Sequence, residues 1–158
     1  MGGRHITILS MICWSMLASA QTASPNNLDI AVVVNEENRV NDLSMADLRK
    51  ILSGEKQTWP GGQAVKLVVR APGTHERLVL LRVLSMSENE YKQHWISQVF
   101  RGEAQTEPPV LPSNGMQKEA LASFPGAIAL VEARDVKSPM KVVKIDGRLP
   151  GQPGYPLH

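Results

Sequence analysis

The feature that most constrains this chain is the recurrence of short β-branched apolar runs, each followed by a segment with helical spacing. Leu28-Asp29-Ile30-Ala31-Val32-Val33-Val34 is almost continuously apolar, the pattern of a strand covered on both faces. After the polar stretch Asn35–Asn41, Ser44 and Asp47 form a cap pattern, and Met45, Leu48, Ile51 and Leu52 recur at helical spacing up to Gly54. The turn cluster Trp59-Pro60-Gly61-Gly62 precedes a second strand, Val65–Val69. Thr74 caps a helix that is apolar nearly all round (Leu78 to Leu84), which predicts burial rather than surface docking. Ser87 and Glu90 form a capping box for the next helix, with Tyr91, Trp95, Ile96, Val99 and Phe100 on its inner face.

The extended stretch Pro108–Leu111 leads to a helix capped by Ser113, with Met116, Ala120, Leu121 and Phe124 expected inward. Ala127–Val131 and Lys141–Ile145 read as the last strands. The Pro- and Gly-rich tail from Arg148 to His158 is expected to be loose or to lie over the surface. Strands alternate with helices throughout, so the expected fold is α/β with a central sheet, and ligands in such sheets bind at strand–helix connections. No internal repeat is visible.

Residues 1–20 read as a secretory signal peptide. A short polar start at Arg4 and His5 precedes the apolar run Ile6–Leu17, and Ala18-Ser19-Ala20 supplies the small-x-small cleavage pattern. Removal of that segment leaves Gln21–His158, in which residues 21–27 form a polar lead-in and the domain proper spans 28–147. It also removes Cys13, the single cysteine, and Arg4. A cysteine-free exported chain is held by its core alone. The expected location is therefore periplasmic or secreted. The formal charge of the whole chain is only +2, which argues against nucleic acid as a partner.

Patterns for catalysis are missing. His75-Glu76 begins like a zinc-protease helix, but Val79 stands where the second histidine belongs. There is no nucleophile elbow and no phosphate loop ending in Gly-Lys-Ser/Thr. His94 reads as a surface residue, and Glu88 and Glu90 as cap and dipole partners. No enzyme, metal or cofactor is expected.

The informative segment is Arg70-Ala71-Pro72-Gly73-Thr74-His75-Glu76-Arg77. A strand ends in a glycine loop and a hydroxyl residue opens a helix, flanked by two arginines. Gly73 permits close backbone approach, and Thr74 with the following N–H groups is suited to an oxyanion. Spacing alone leaves two readings open: an anion site, or an ordinary Thr-capped helix with Arg77 snorkelling or paired to Glu76.

At this segment the chain resembles the short, exported phosphate-transporter-type solute-binding proteins, the PstS-like family with a type 2 periplasmic-binding-protein lobe. The resembling landmarks occur in order: Ile30–Asn35; Leu43-Ser44 through Ile51-Leu52-Ser53-Gly54; Trp59-Pro60-Gly61-Gly62; Arg70–Thr74 with Arg77; Phe100-Arg101-Gly102 with Pro108-Pro109; and Pro125-Gly126-Ala127-Ile128. Together they cover about Leu28 to Ile145. The resemblance implies a mixed sheet flanked by helices, as in one lobe of such a protein. It also implies phosphate or a related oxyanion as ligand for an ABC-type uptake system, with contacts from Arg70, Gly73, Thr74, His75 and Arg77. His75-Glu76 departs from the small residues usual there, so the Glu76 carboxylate must be neutralised by Arg70 or Arg77. Ala129-Leu130 stands where the family has Gly-Tyr. The chain supplies material for about one lobe, so either affinity is low or another protein or a second copy in a homo-oligomer supplies the other wall; the expected partner is a membrane transporter or a periplasmic protein. The competing reading is a periplasmic adaptor or sensory subunit that keeps the fold without the ligand.

Overall fold

A computed structural model describes residues 28–158; the expected signal peptide and lead-in lie outside the described residues. Seven strands and four helices follow in the order β1 (Ile30–Asn35), β2 (Asp42–Leu43), α1 (Met45–Leu52), β3 (Lys66–Leu67), β4 (Val69–Arg70), α2 (His75–Leu84), α3 (Glu88–Phe100), β5 (Val110–Leu111), α4 (Asn114–Ser123), β6 (Ala127–Glu132) and β7 (Met140–Ile145). A five-stranded sheet has the order β2-β7-β1-β6-β3, and β4 pairs with β5 in a separate two-stranded sheet. β1 runs antiparallel to β6 and β7, whereas β2–β7, β3–β6 and β4–β5 are parallel, so the sheet is mixed.

Strand β1 occupies the centre, and all six of its residues are buried. Its side chains alternate between two cores. Ile30, Val32 and Val34 pack with Leu48, Ile51 and Leu52 of α1, Val79 and Val83 of α2, and Tyr91 and Trp95 of α3. Ala31 and Val33 pack on the other face with Leu121 of α4. The continuous apolar run is therefore explained by cover on both faces, three helices on one side and one on the other.

Local rules set the helix ends. Ser44, Thr74, Ser87 and Ser113 each accept a hydrogen bond from a backbone N–H in the first turn. The expected capping box at Ser87 and Glu90 is present in both directions.

Four expectations about the strands and helices need correction. The run Val65–Val69 is not one strand: it shifts partner after Leu67, from β6 to β5, and so divides into β3 and β4. On α2, Leu78 faces solvent while Glu76 and Arg77 are buried, so charge as well as apolar surface is packed inside. On α3 the inner line is Tyr91, Trp95 and Gln98, leaving Ile96, Val99 and Phe100 exposed; Phe100 is 90% exposed. On α4 the inner residues are Gln117 and Leu121, and Met116 and Phe124 are exposed. Gln117 is tolerated there because its Nε2 donates to the Leu130 carbonyl at 3.1 Å.

The tail is anchored, not loose. Tyr155 and Leu157 are buried in the main core. The Tyr155 hydroxyl donates to the Ile30 carbonyl at 2.7 Å, and the Ile30 N–H donates to the Leu157 carbonyl at 2.8 Å.

Candidate functional site

The carboxyl ends of β4 and β5 lie side by side because the pair is parallel. Each strand leads directly into a helix, β4 through Ala71–Thr74 into α2 and β5 through Pro112-Ser113 into α4. Two helix N-termini thus open at one end of the molecule, where backbone N–H groups and helix dipoles favour negative charge. β6 is parallel to β3, so Glu132 reaches the same end.

Arg70 ends β4. Its Nη1 donates to the Leu111 carbonyl at 3.3 Å, tying the two strand–helix loops together. Its Nε lies 3.6 Å from Glu76 Oε1, with side chains only 12% and 5% exposed. That Nε is buried and makes no hydrogen bond. The neutralising partner of Glu76 is therefore Arg70.

Gly73 adopts φ +86° with open space where a Cβ would be, so the loop turns through a conformation that favours glycine. Thr74 is engaged within the loop. Its hydroxyl donates to the Ala71 carbonyl at 2.9 Å and accepts from the Arg77 N–H at 3.3 Å. His75, the first residue of α2, places Nδ1 3.8 Å from Glu132 Oε1, and Glu132 also pairs with Arg134.

Arg77 points elsewhere. Its guanidinium grips Glu88 of α3, with Nε to Oε2 at 3.1 Å and Nη2 to Oε1 at 2.5 Å. It also lies 4.1 Å from the centre of the Tyr91 ring. The side chain is 5% exposed. Arg70, Gly73, Thr74 and His75 are brought together at the loop, and the Arg77 guanidinium is not. Glu88 stands in the first turn of α3, as a dipole partner would, and is also the counter-ion of Arg77.

Three further residues that the sequence does not single out lie beside the loop: Asn114, Glu132 and Arg134. Asn114 opens α4 and donates to Asp135 Oδ2 at 2.7 Å, leaving its buried Oδ1 without a hydrogen bond. The parallel placement of two capped helices, with Ser113 echoing Thr74, was the available signal. His94 is half-buried, and its Nε2 contacts the Ser53 carbonyl at 2.7 Å. It therefore links α3 to the end of α1 and stands apart from the loop.

An α/β lobe whose paired strand–helix loops open at one end has the form of a solute-binding lobe. Residues 28–153 match the family model of a PBP superfamily domain, and the chain belongs to that family. Its fold is similar to an ABC-type phosphate transport receptor from Vibrio cholerae, at 19% identity and a TM-score of 0.62 over 83% of this chain and 53% of that one. It is also similar to a Clostridium perfringens protein with bound phosphate, at 19% identity and a TM-score of 0.60 over 78% of this chain and 49% of that one. PstS from Borrelia burgdorferi aligns at 17% identity and a TM-score of 0.58, covering 77% and 49% respectively. The chain therefore spans about half the length of these proteins. A sequence search among curated proteins finds no match.

Proposed function

We propose that this chain is an exported solute-binding-like protein that takes phosphate or a related oxyanion at the loop Arg70–His75 for an ABC-type uptake system. It acts by binding, not catalysis, in the periplasm or outside the cell. The observation that carries this reading is that the N-termini of α2 and α4 open at the same end of the molecule, with Arg70 tying the two loops together. An oxyanion there accepts from Arg70 and from the first N–H groups of α2. The phosphate named for the structurally similar proteins supports the ligand class.

Isothermal titration with phosphate and with sulfate tests the reading. Saturable heat that disappears in Arg70→Gln is expected. No heat at millimolar anion, with the protein folded by circular dichroism, would refute it.

A second reading has its own observation. Thr74 is already satisfied on both sides and the Glu76 carboxylate sits beside the loop, which suits an adaptor that keeps the fold without a ligand. A stoichiometric envelope partner, retained unchanged in Thr74→Ala, favours that reading over transport.

A further inference from the structure

Strand β3 is an edge of the five-stranded sheet. Its ladder to β6 uses alternate residues: Lys66 N–H donates to the Gly126 carbonyl at 2.9 Å, and Val68 N–H to the Ile128 carbonyl at 3.0 Å. Leu67, between them, turns its N–H and C=O to the open side. That side is paired on both flanks, since Val65 N–H donates to the Gln57 carbonyl at 2.8 Å and Val69 N–H to the Pro109 carbonyl at 3.1 Å. Among the described residues, no hydrogen bond reaches the Leu67 N–H or carbonyl.

The gap opens into a groove of about 340 Å³, with Ile51 and Trp95 at its floor and Thr106, Glu107 and Pro108 on its rim. Pro108 and Pro109 have no N–H, so neither supplies a backbone donor to the Leu67 carbonyl. Lys66, which lines the groove, stands opposite Ala127 at the start of β6, whereas the anion loop neighbours the end of β6 at Glu132.

We propose that this groove docks a short extended segment of a partner protein, which pairs with Leu67 as an added strand. The chemistry selects this occupant. An unpaired donor and acceptor on one residue of a strand edge are both satisfied by an extended backbone. A phosphate or carboxylate satisfies the N–H and leaves the carbonyl bare, and an apolar ligand satisfies neither. Only Leu67 is open between paired flanks, so the segment crosses the edge with two or three residues. Nearby cations are taken, Lys56 by Asp47 at 3.0 Å and Lys66 by the Phe124 ring at 3.5 Å. Glu107 has no ion pair among the described residues, so a basic side chain next to the paired residue fits.

The test begins with amide exchange followed by NMR on the unliganded protein. The Leu67 amide should exchange at least tenfold faster than those of Lys66 and Val68. Random linear heptapeptides displayed on phage are then selected against the protein, and the enriched sequences are synthesised. They should shift the Leu67 and Thr106 amides and slow Leu67 exchange tenfold. N-methylation of the pairing residue in the peptide, or Thr106→Trp in the exposed rim, should abolish both effects. A Leu67 amide already as protected as Val68 would show that the chain covers this edge itself and would overturn the proposal. Failure to enrich any peptide, or enriched peptides that leave Leu67 unshifted, would overturn it as well.

Discussion

Replacing Arg77 with alanine separates a structural arginine from a ligand-binding one. The side chain is 95% withdrawn from water (5% exposed) and makes two contacts with Glu88, at 3.1 and 2.5 Å. Charge-assisted hydrogen bonds are worth ~1.5–3 kcal/mol when shielded. The Glu88 side chain is 43% exposed, so solvent screening reduces the pair to ~1 kcal/mol. Stacking on the Tyr91 ring adds ~1 kcal/mol in a largely desolvated setting. Loss of the packed stem and the space it leaves adds ~1 kcal/mol. The total is about 3 kcal/mol, which lowers the melting temperature by roughly 10 °C in a domain of this size. Urea unfolding of Arg77→Ala, Glu88→Ala and the double variant measures the coupling directly, and a value near 1 kcal/mol is expected. Phosphate affinity in the surviving folded fraction should change less than threefold. A destabilisation below about 0.5 kcal/mol, or a tenfold loss of phosphate affinity with an unmoved melting temperature, would refute the assignment.

Three further outcomes follow from the packing. Gly126→Ala should unravel the β3–β6 junction, because the new Cβ would sit 1.9 Å from the Ala64 backbone carbonyl oxygen. A loss at or above the ~1–3 kcal/mol of ordinary overpacking is expected in urea titration. Truncation after Gly154 removes buried Tyr155 and Leu157 and should cost ~5 kcal/mol or more, enough to abolish a cooperative thermal transition by calorimetry. Burial pushes the Tyr91 hydroxyl from 10.0 up to about 12, so the folded state favours the neutral phenol. That contribution is complete below pH 10 and is lost as pH rises toward 12; Tyr91→Phe should flatten this part of the pH–stability curve.

Much of the fold was legible, and the failures have physical causes. The β1 run announced two-sided burial because every position was apolar, and both faces are covered. The α3 face was misread because apolarity does not choose among overlapping stripes. Trp95 settles it by packing against Gly54, where a Cβ would lie 2.6 Å from the ring, and polar Gln98 is carried inward on the same line. The candidate loop is legible as a strand, a glycine and a capping hydroxyl in succession. The fate of its two arginines is not. Arg70 and Arg77 flank the loop symmetrically in sequence, but Glu88, the group that captures Arg77, lies on the next helix. Glu132 and Arg134 lie beside the loop only because β6 returns there, which no local pattern records. The prolines and glycines of the tail point to a loose segment, whereas Tyr155 and Leu157 alternate as strand-like anchors would and are buried.

The anchored tail bears on the order in which the molecule can assemble. The Ile30 carbonyl receives its hydrogen bond from a tyrosine 125 residues later, and the strand carrying it pairs only with β6 and β7. The first strand of the sheet therefore stays solvated until nearly the whole chain is present. Such distant closure slows folding. A chain that cannot complete its core until its last residues arrive closes in one late step around β1.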